Sequence, residues 1–235
     1  MSERKPVCVV VGVGPGNGAA LARRFAAGGY AVALLARSTE LTSGLAAELG
    51  DARAYACDVT DDAAIVAVFA QIAAELGPVD ALVYNAGAGT WGNVETITAA
   101  QLDQAFAINA RGALVAAQQV IPAMKARGAG DILFIGATAS RRGNVQTAGF
   151  APAKAAQRSL AEAMARHLWP AGIHVAVVIV DGVVDLPRTR AAMSDKPDEF
   201  FIRPADLAET TFALTRQPRS AWSFEIEARP FGERW

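Results

Sequence analysis

Residues 7–18, VCVVVGVGPGNG, decide the fold. An apolar run too short to cross a membrane enters a glycine-rich turn, and residues 19–25, AALARRF, follow with helical apolar spacing. The stretch predicts a strand, a tight turn and a helix. Gly12, Gly16 and Gly18 form a GxxxGxG pattern, one residue longer overall than the GxGxxG dinucleotide fingerprint, with Gly14 inside its first gap. With no side chains here, the N–H groups and positive dipole end of the helix face whatever lies on the turn, which suits an anionic, phosphate-like ligand. The same cluster also suits a purely structural turn, so its meaning depends on its neighbours.

Residues 30–36, YAVALLA, make a continuous apolar run, as expected of a strand covered on both faces of a parallel sheet. It ends at Arg37-Ser38, with no carboxylate before Glu40. In many dinucleotide sites an acidic residue at this strand end accepts the ribose hydroxyls, whereas an arginine makes charge-assisted bonds to a 2'-phosphate. Arg37 thus favours NADP(H) over NAD(H), the alternative being a solvated strand-end arginine.

The alternation continues along the chain. Helical spacing is expected over 41–49, 61–76, 98–127 with a break near Gly112, 151–169 and 204–216; strands are expected over 52–57, 80–84, 130–135, 173–180 and, as a closing edge, 221–226. Strand and helix in turn, with right-handed crossovers, give a single α/β domain spanning 1–235, a doubly wound parallel sheet with helices on both faces and the ligand at the strand ends.

Bulk composition narrows the partners. With 235 residues, 52% hydrophobic and 19% charged, the chain can bury one large core, and a net charge of -1 offers no basic field for nucleic acid or an anionic membrane. Residues 1–5 lead into the first strand without a secretion signal, and no apolar run reaches transmembrane length, so a cytoplasmic location and a small-molecule substrate are expected. Cys8 and Cys57 read as small buried hydrophobes, and His167 and His174 have no partners at ligand spacing, so no metal site is expected.

These residues resemble the short-chain dehydrogenase/reductase family over nearly the whole chain. VGVGPGNG is similar to TGxxxGxG, with Val11 in place of the threonine and Asn17 in place of an aliphatic residue. Asp58-Val59 is similar to the pair that contacts adenine, Asn85-Ala86-Gly87 to the family's NAG segment, and Lys154 to the lysine of YxxxK. Asn109 resembles the helix asparagine that supports a proton relay, and Asp181-Gly182-Val183-Val184 occupies the place of the PG segment. The resemblance implies a cofactor site of Gly12, Gly14, Gly16, Asn17, Gly18, Arg37, Asp58, Val59, Asn85, Ala86, Gly87, Lys154, Gly182 and Val184, with Asn109 and Lys154 as catalytic groups. Lys154 would hold the nicotinamide ribose hydroxyls or polarise a water; Asn109 could equally bond to nearby backbone where the helix bends.

Three positions depart from the family pattern. Phe150 stands where the proton-donating tyrosine is expected, Ala137 where the catalytic serine is expected, and Leu186 where a threonine commonly steadies the carboxamide. A phenyl ring has no proton to give. Thr138 or Ser140 would supply a hydroxyl only in a different local register. The expected function is hydride transfer to or from a small carbonyl or alcohol with a non-standard proton source, and the alternative is a catalytically silent NADP(H)-binding or scaffold protein. Residues 185–204 suit a cover over the nicotinamide end, with Trp91, Val145 and Phe200 as candidate pocket residues. Family resemblance and the small residues Ala155, Ala156 and Ala163 imply a homodimer or homotetramer, and an aromatic terminus, Trp235, is expected to pack against its own or a second subunit.

Overall fold

A computed structural model describes residues 4–232, so the expected packing of Trp235 lies outside the described residues. Among the described residues nine strands form in chain order: β1 (Val7–Val11), β2 (Ala31–Ala36), β3 (Ala52–Ala56), β4 (Val79–Tyr84), β5 (Gly130–Ala137), β6 (Ile173–Val180), β7 (Val183–Val184), β8 (Phe201–Ile202) and β9 (Glu225–Ala228). Between them run helices α1 (Asn17–Ala27), α2 (Glu40–Leu49), α3 (Asp62–Glu75), α4 (Ala99–Phe106), α5 (Gly112–Arg127), α6 (Phe150–Leu168), α7 (Pro187–Ala192) and α8 (Pro204–Leu214). Seven strands make one parallel sheet in the order β3-β2-β1-β4-β5-β6-β9, the doubly wound architecture the alternation predicts.

The central strands are apolar on both faces because helices cover both. Val7, Val9 and Val11 pack with Phe69, Ala113, Ala117 and Ala161 on one side, while Cys8 and Val10 pack with Leu21, Phe25, Leu207 and Phe212 on the other. Both cysteines are free and buried, as small hydrophobes should be. Among the described residues no helix is long and apolar enough to cross a membrane, and no cluster of three or more metal-ligating side chains forms.

Three departures from the sequence pattern go beyond a shift of one or two residues at an element end. The expected break near Gly112 is a π-helical turn, Ala107–Arg111, inserted between α4 and α5. The closing strand starts at Glu225 rather than 221, because a 3-10 turn occupies Arg219–Ala221 and the Trp222 indole stacks on His174 at 4.8 Å, holding that part of the chain out of the ladder. Residues 185–204 fold further than expected: β7 pairs with β8, and Arg190 joins Asp185 at 2.6 Å to Asp198 at 2.6 Å across α7.

Candidate active site

The glycine turn is fixed by close packing. Gly12 has φ +88°, a left-handed conformation that other residues rarely adopt, and a Cβ there would meet the Ala86 backbone at 2.5 Å. A Cβ on Gly18 would meet the Gly12 carbonyl oxygen at 2.6 Å, so these two positions require glycine for the turn itself. Gly14 faces open space, and a Cβ on Gly16 would meet only the tip of the Leu186 side chain, at 2.5 Å. No side chain caps α1, and its first turn holds no acidic residue. The outer half of the turn is therefore an uncapped helix end, with Leu186 as a movable neighbour over Gly16. That arrangement fits a diphosphate.

Asn85 plays a different part from that of a free ligand. Its amide donates to the Gly12 carbonyl at 2.7 Å and its backbone N–H to Val11 at 2.9 Å, which ties the end of β4 to the turn. Across the sheet, Arg37 is exposed at the end of β2, and Asp58 is exposed just beyond β3. The Thr60 backbone N–H and hydroxyl hold the Asp58 carboxyl below its usual range, and the Arg37 charge adds to the effect. Val59 is buried, and a Cβ on Gly112 would lie 2.6 Å from its carbonyl oxygen, so Val59 also serves as packing under α5.

Asn109 belongs to the π-helical turn and is fully buried. The turn is pinned to the sheet by the Tyr84 hydroxyl, which donates to the Ile108 carbonyl at 2.6 Å. Asn109 Nδ2 donates to Ala105 at 2.9 Å, while its Oδ1 is buried without a partner. A Cβ on Gly87 would lie 3.3 Å from that oxygen and 3.5 Å from Lys154 Nζ. The helix asparagine, the lysine and the NAG-like segment, distant in sequence, thus meet at one corner.

Lys154 is 4% exposed. Its ammonium donates to the Ile135 carbonyl at 2.8 Å and to Gln157 Oε1 at 3.0 Å, and Gln157 Nε2 donates to the Asn109 carbonyl at 2.8 Å. Burial without a counter-ion pulls the lysine down to about 7. Sequence reading missed Gln157; the available signal was a polar residue three positions from Lys154, on the same helix face.

Two hydroxyls at the end of β5 have partners. Ser140 Oγ is buried and accepts from the Ala137 N–H at 3.1 Å, and the Thr138 hydroxyl donates to Asp181. Asp181, 3% exposed, also pairs with Arg229, a junction that sequence distance concealed. Phe150 opens α6 one turn ahead of Lys154 and meets the Trp91 ring at a centroid distance of 5.8 Å. Val145 lies on the neighbouring loop, which joins the Trp91 loop through the Gly92 N–H to the Gln146 carbonyl at 2.9 Å. Trp91 and Val145 are exposed, whereas Phe200 packs on Phe201 at 5.3 Å. Gly182 and Val184 follow β6, and the Val184 carbonyl accepts from the Thr189 hydroxyl at 2.6 Å.

Comparison with known proteins places this arrangement. The family model described as short chain dehydrogenase matches residues 6–197. The chain is 32% identical over 183 residues to the 3-oxoacyl-[acyl-carrier-protein] reductase MabA of Mycobacterium tuberculosis, covering 78% of this chain and 71% of that one. It is 35% identical over 179 residues to the D-xylose 1-dehydrogenase of Caulobacter vibrioides, covering 74% and 71%. Among solved structures, a short-chain dehydrogenase from Rhodopseudomonas palustris superposes with a TM-score of 0.84 at 31% identity, covering 97% of this chain and all of that one. A metagenomic short-chain oxidoreductase in complex with NADP gives 0.84 at 28% identity, covering 99% and 100%. Sequence, sheet order and the meeting of distant motifs at one corner agree: the chain belongs to the short-chain dehydrogenase/reductase family.

Proposed function

We propose that this chain is an NADP(H)-dependent oxidoreductase acting on a small carbonyl or alcohol, with a proton source other than a tyrosine. The observation that carries the reading is the buried Lys154 held beside Asn109 and Gly87, next to an uncapped helix end that suits a diphosphate. A bound nicotinamide dinucleotide supplies or accepts the hydride. Gly14, Gly16, Asn17 and Gly18 would hold its diphosphate, Asp58 and Val59 the adenine, and Ala86, Gly87 and Lys154 the nicotinamide ribose, with Gly182 and Val184 flanking the ring. Gly12 and Asn85 keep the turn in shape. The NADP in the metagenomic short-chain oxidoreductase supports the cofactor class.

Arg37 gives the cofactor preference. Its guanidinium is exposed at the end of β2, within electrostatic reach of Asp58, and matches the charge of a 2'-phosphate. Arg37→Asp should weaken NADPH binding by about tenfold or more while leaving NADH within a few-fold, a contrast of at least one charge-assisted pair. Equal losses for both dinucleotides would overturn this assignment.

Lys154 keeps the charge that Phe150 cannot use, and a water beside it is the proposed proton carrier. Residues 185–204 act as the cover, with Leu186 already lying over Gly16. Phe150 and Ala137 favour a second reading, a catalytically silent NADP(H)-binding protein, because neither side chain can donate a proton. Assaying NADPH oxidation against a panel of small carbonyls separates the two: turnover supports the oxidoreductase, and saturable binding without turnover supports the silent reading. Ala155 and Ala163 are exposed on α6, beside an open apolar depression lined by Phe106, Leu114 and Leu160, which supports assembly as a homodimer or homotetramer through this face.

A further inference from the structure

Gln157 sits three residues beyond Lys154 on α6 and is 1% exposed. A buried amide costs free energy unless its polar atoms are paired, and this one is paired at both ends. Nε2 donates to the Asn109 carbonyl at 2.8 Å, and Oε1 accepts from Lys154 Nζ at 3.0 Å. We propose that Gln157 is a positioning residue that ties Lys154 to the backbone of the π-helical turn, fixing where the ammonium points and how readily it releases a proton. This rests on the reading of Lys154 as a cofactor-facing group.

The surroundings of Nζ show why the amide matters. From β5 comes the Ile135 carbonyl, from α6 the Gln157 side chain, from the π-helical turn Asn109, and from the loop after β4 the bare wall of Gly87. Among the described residues no charged side chain from these elements hydrogen-bonds or pairs with Nζ, so dipoles alone hold its proton. A carbonyl oxygen stabilises an ammonium more than an amine, and Gln157 supplies one of only two such contacts. An ammonium has three N–H groups, and these two contacts leave one for the corner shared with Gly87 and the unpartnered Asn109 Oδ1. Swinging Gln157 away would free Nζ to turn from that corner.

The test is a pH titration of the lysine 13Cε signals in 13C-lysine-labelled protein without cofactor. The chain holds only Lys5, Lys125, Lys154 and Lys196, and Lys154→Met assigns the signal. Gln157→Met, unbranched and similar in volume, should lower the proton affinity of Lys154 by about tenfold, and Gln157→Glu, which places a carboxylate there, should raise it by about tenfold or more. The pH midpoint of NADPH binding should move in the same direction in each variant. Titration of Lys154 unchanged from the native protein in either folded variant would overturn the proposal, since a residue that merely filled space would leave that titration alone. Failure of the native chain to bind NADPH would instead refute the cofactor reading and leave the lysine titration standing.

Discussion

The stability of Lys154→Met relative to the native protein is expected to be higher at pH 6 than at pH 10, while NADPH-dependent turnover falls about 10²-fold or more. The reason is linkage. In the folded chain burial lowers the lysine from 10.5 to about 7, so between these values the unfolded chain binds more protons than the native one. Stability then rises with pH across that window. Below pH 7 the native state carries the full cost of a buried ammonium, and above 10.5 it carries none. Methionine removes the titrating group but leaves Ile135 O and Gln157 Oε1 without their donor, a cost of about 1–3 kcal/mol each that does not depend on pH. The pH-dependent difference between the two proteins should reach about 3 kcal/mol, since each unit of separation corresponds to about 1.4 kcal/mol before water penetration reduces it. Urea unfolding at pH 6, 8 and 10 measures it. A constant difference would show that Lys154 is not buried as a cation.

Phe150→Tyr is expected to raise carbonyl reduction by about 10²–10⁴-fold, the usual contribution of a positioned general acid. Phe150 opens α6 one turn ahead of Lys154, so a phenol there would have an ammonium neighbour to lower its pKa. The ring is already partly covered by Trp91, and a hydroxyl at its far edge adds little volume. Adding Ala137→Ser should raise the rate again, because residue 137 ends β5 at the position where the family's serine is expected and alanine there has no hydroxyl. Steady-state rates at saturating NADPH give the comparison. A double variant no faster than the native protein, with NADPH binding intact, would show that the missing phenol does not limit the chemistry.

Much of the fold was legible because parallel strands covered on both faces leave continuous apolar runs, and the helices between them keep their periodicity. The bounds of β6 match the reading residue for residue, and Asp61 caps α3 through Ala64 as an acidic start should. Local pattern also pointed to the glycine turn, and the family resemblance to Asn109 and Lys154, which the fold brings beside Gly87. What they concealed was pairing over distance. Trp222 stacks on His174 ahead of the last strand, and Val183–Val184 pairs with Phe201–Ile202 across the intervening α7. Gln157 looked like one polar residue in an alanine-rich helix, because neither the Asn109 carbonyl nor the Ile135 carbonyl that completes the lysine's contacts is adjacent to it in sequence.

Calorimetric titration of the purified protein with NADPH, and in parallel with NADH, tests the central claim directly. The glycine turn and Arg37 require saturable binding of NADPH, tighter than NADH by about tenfold. No saturable heat with either dinucleotide would contradict the account.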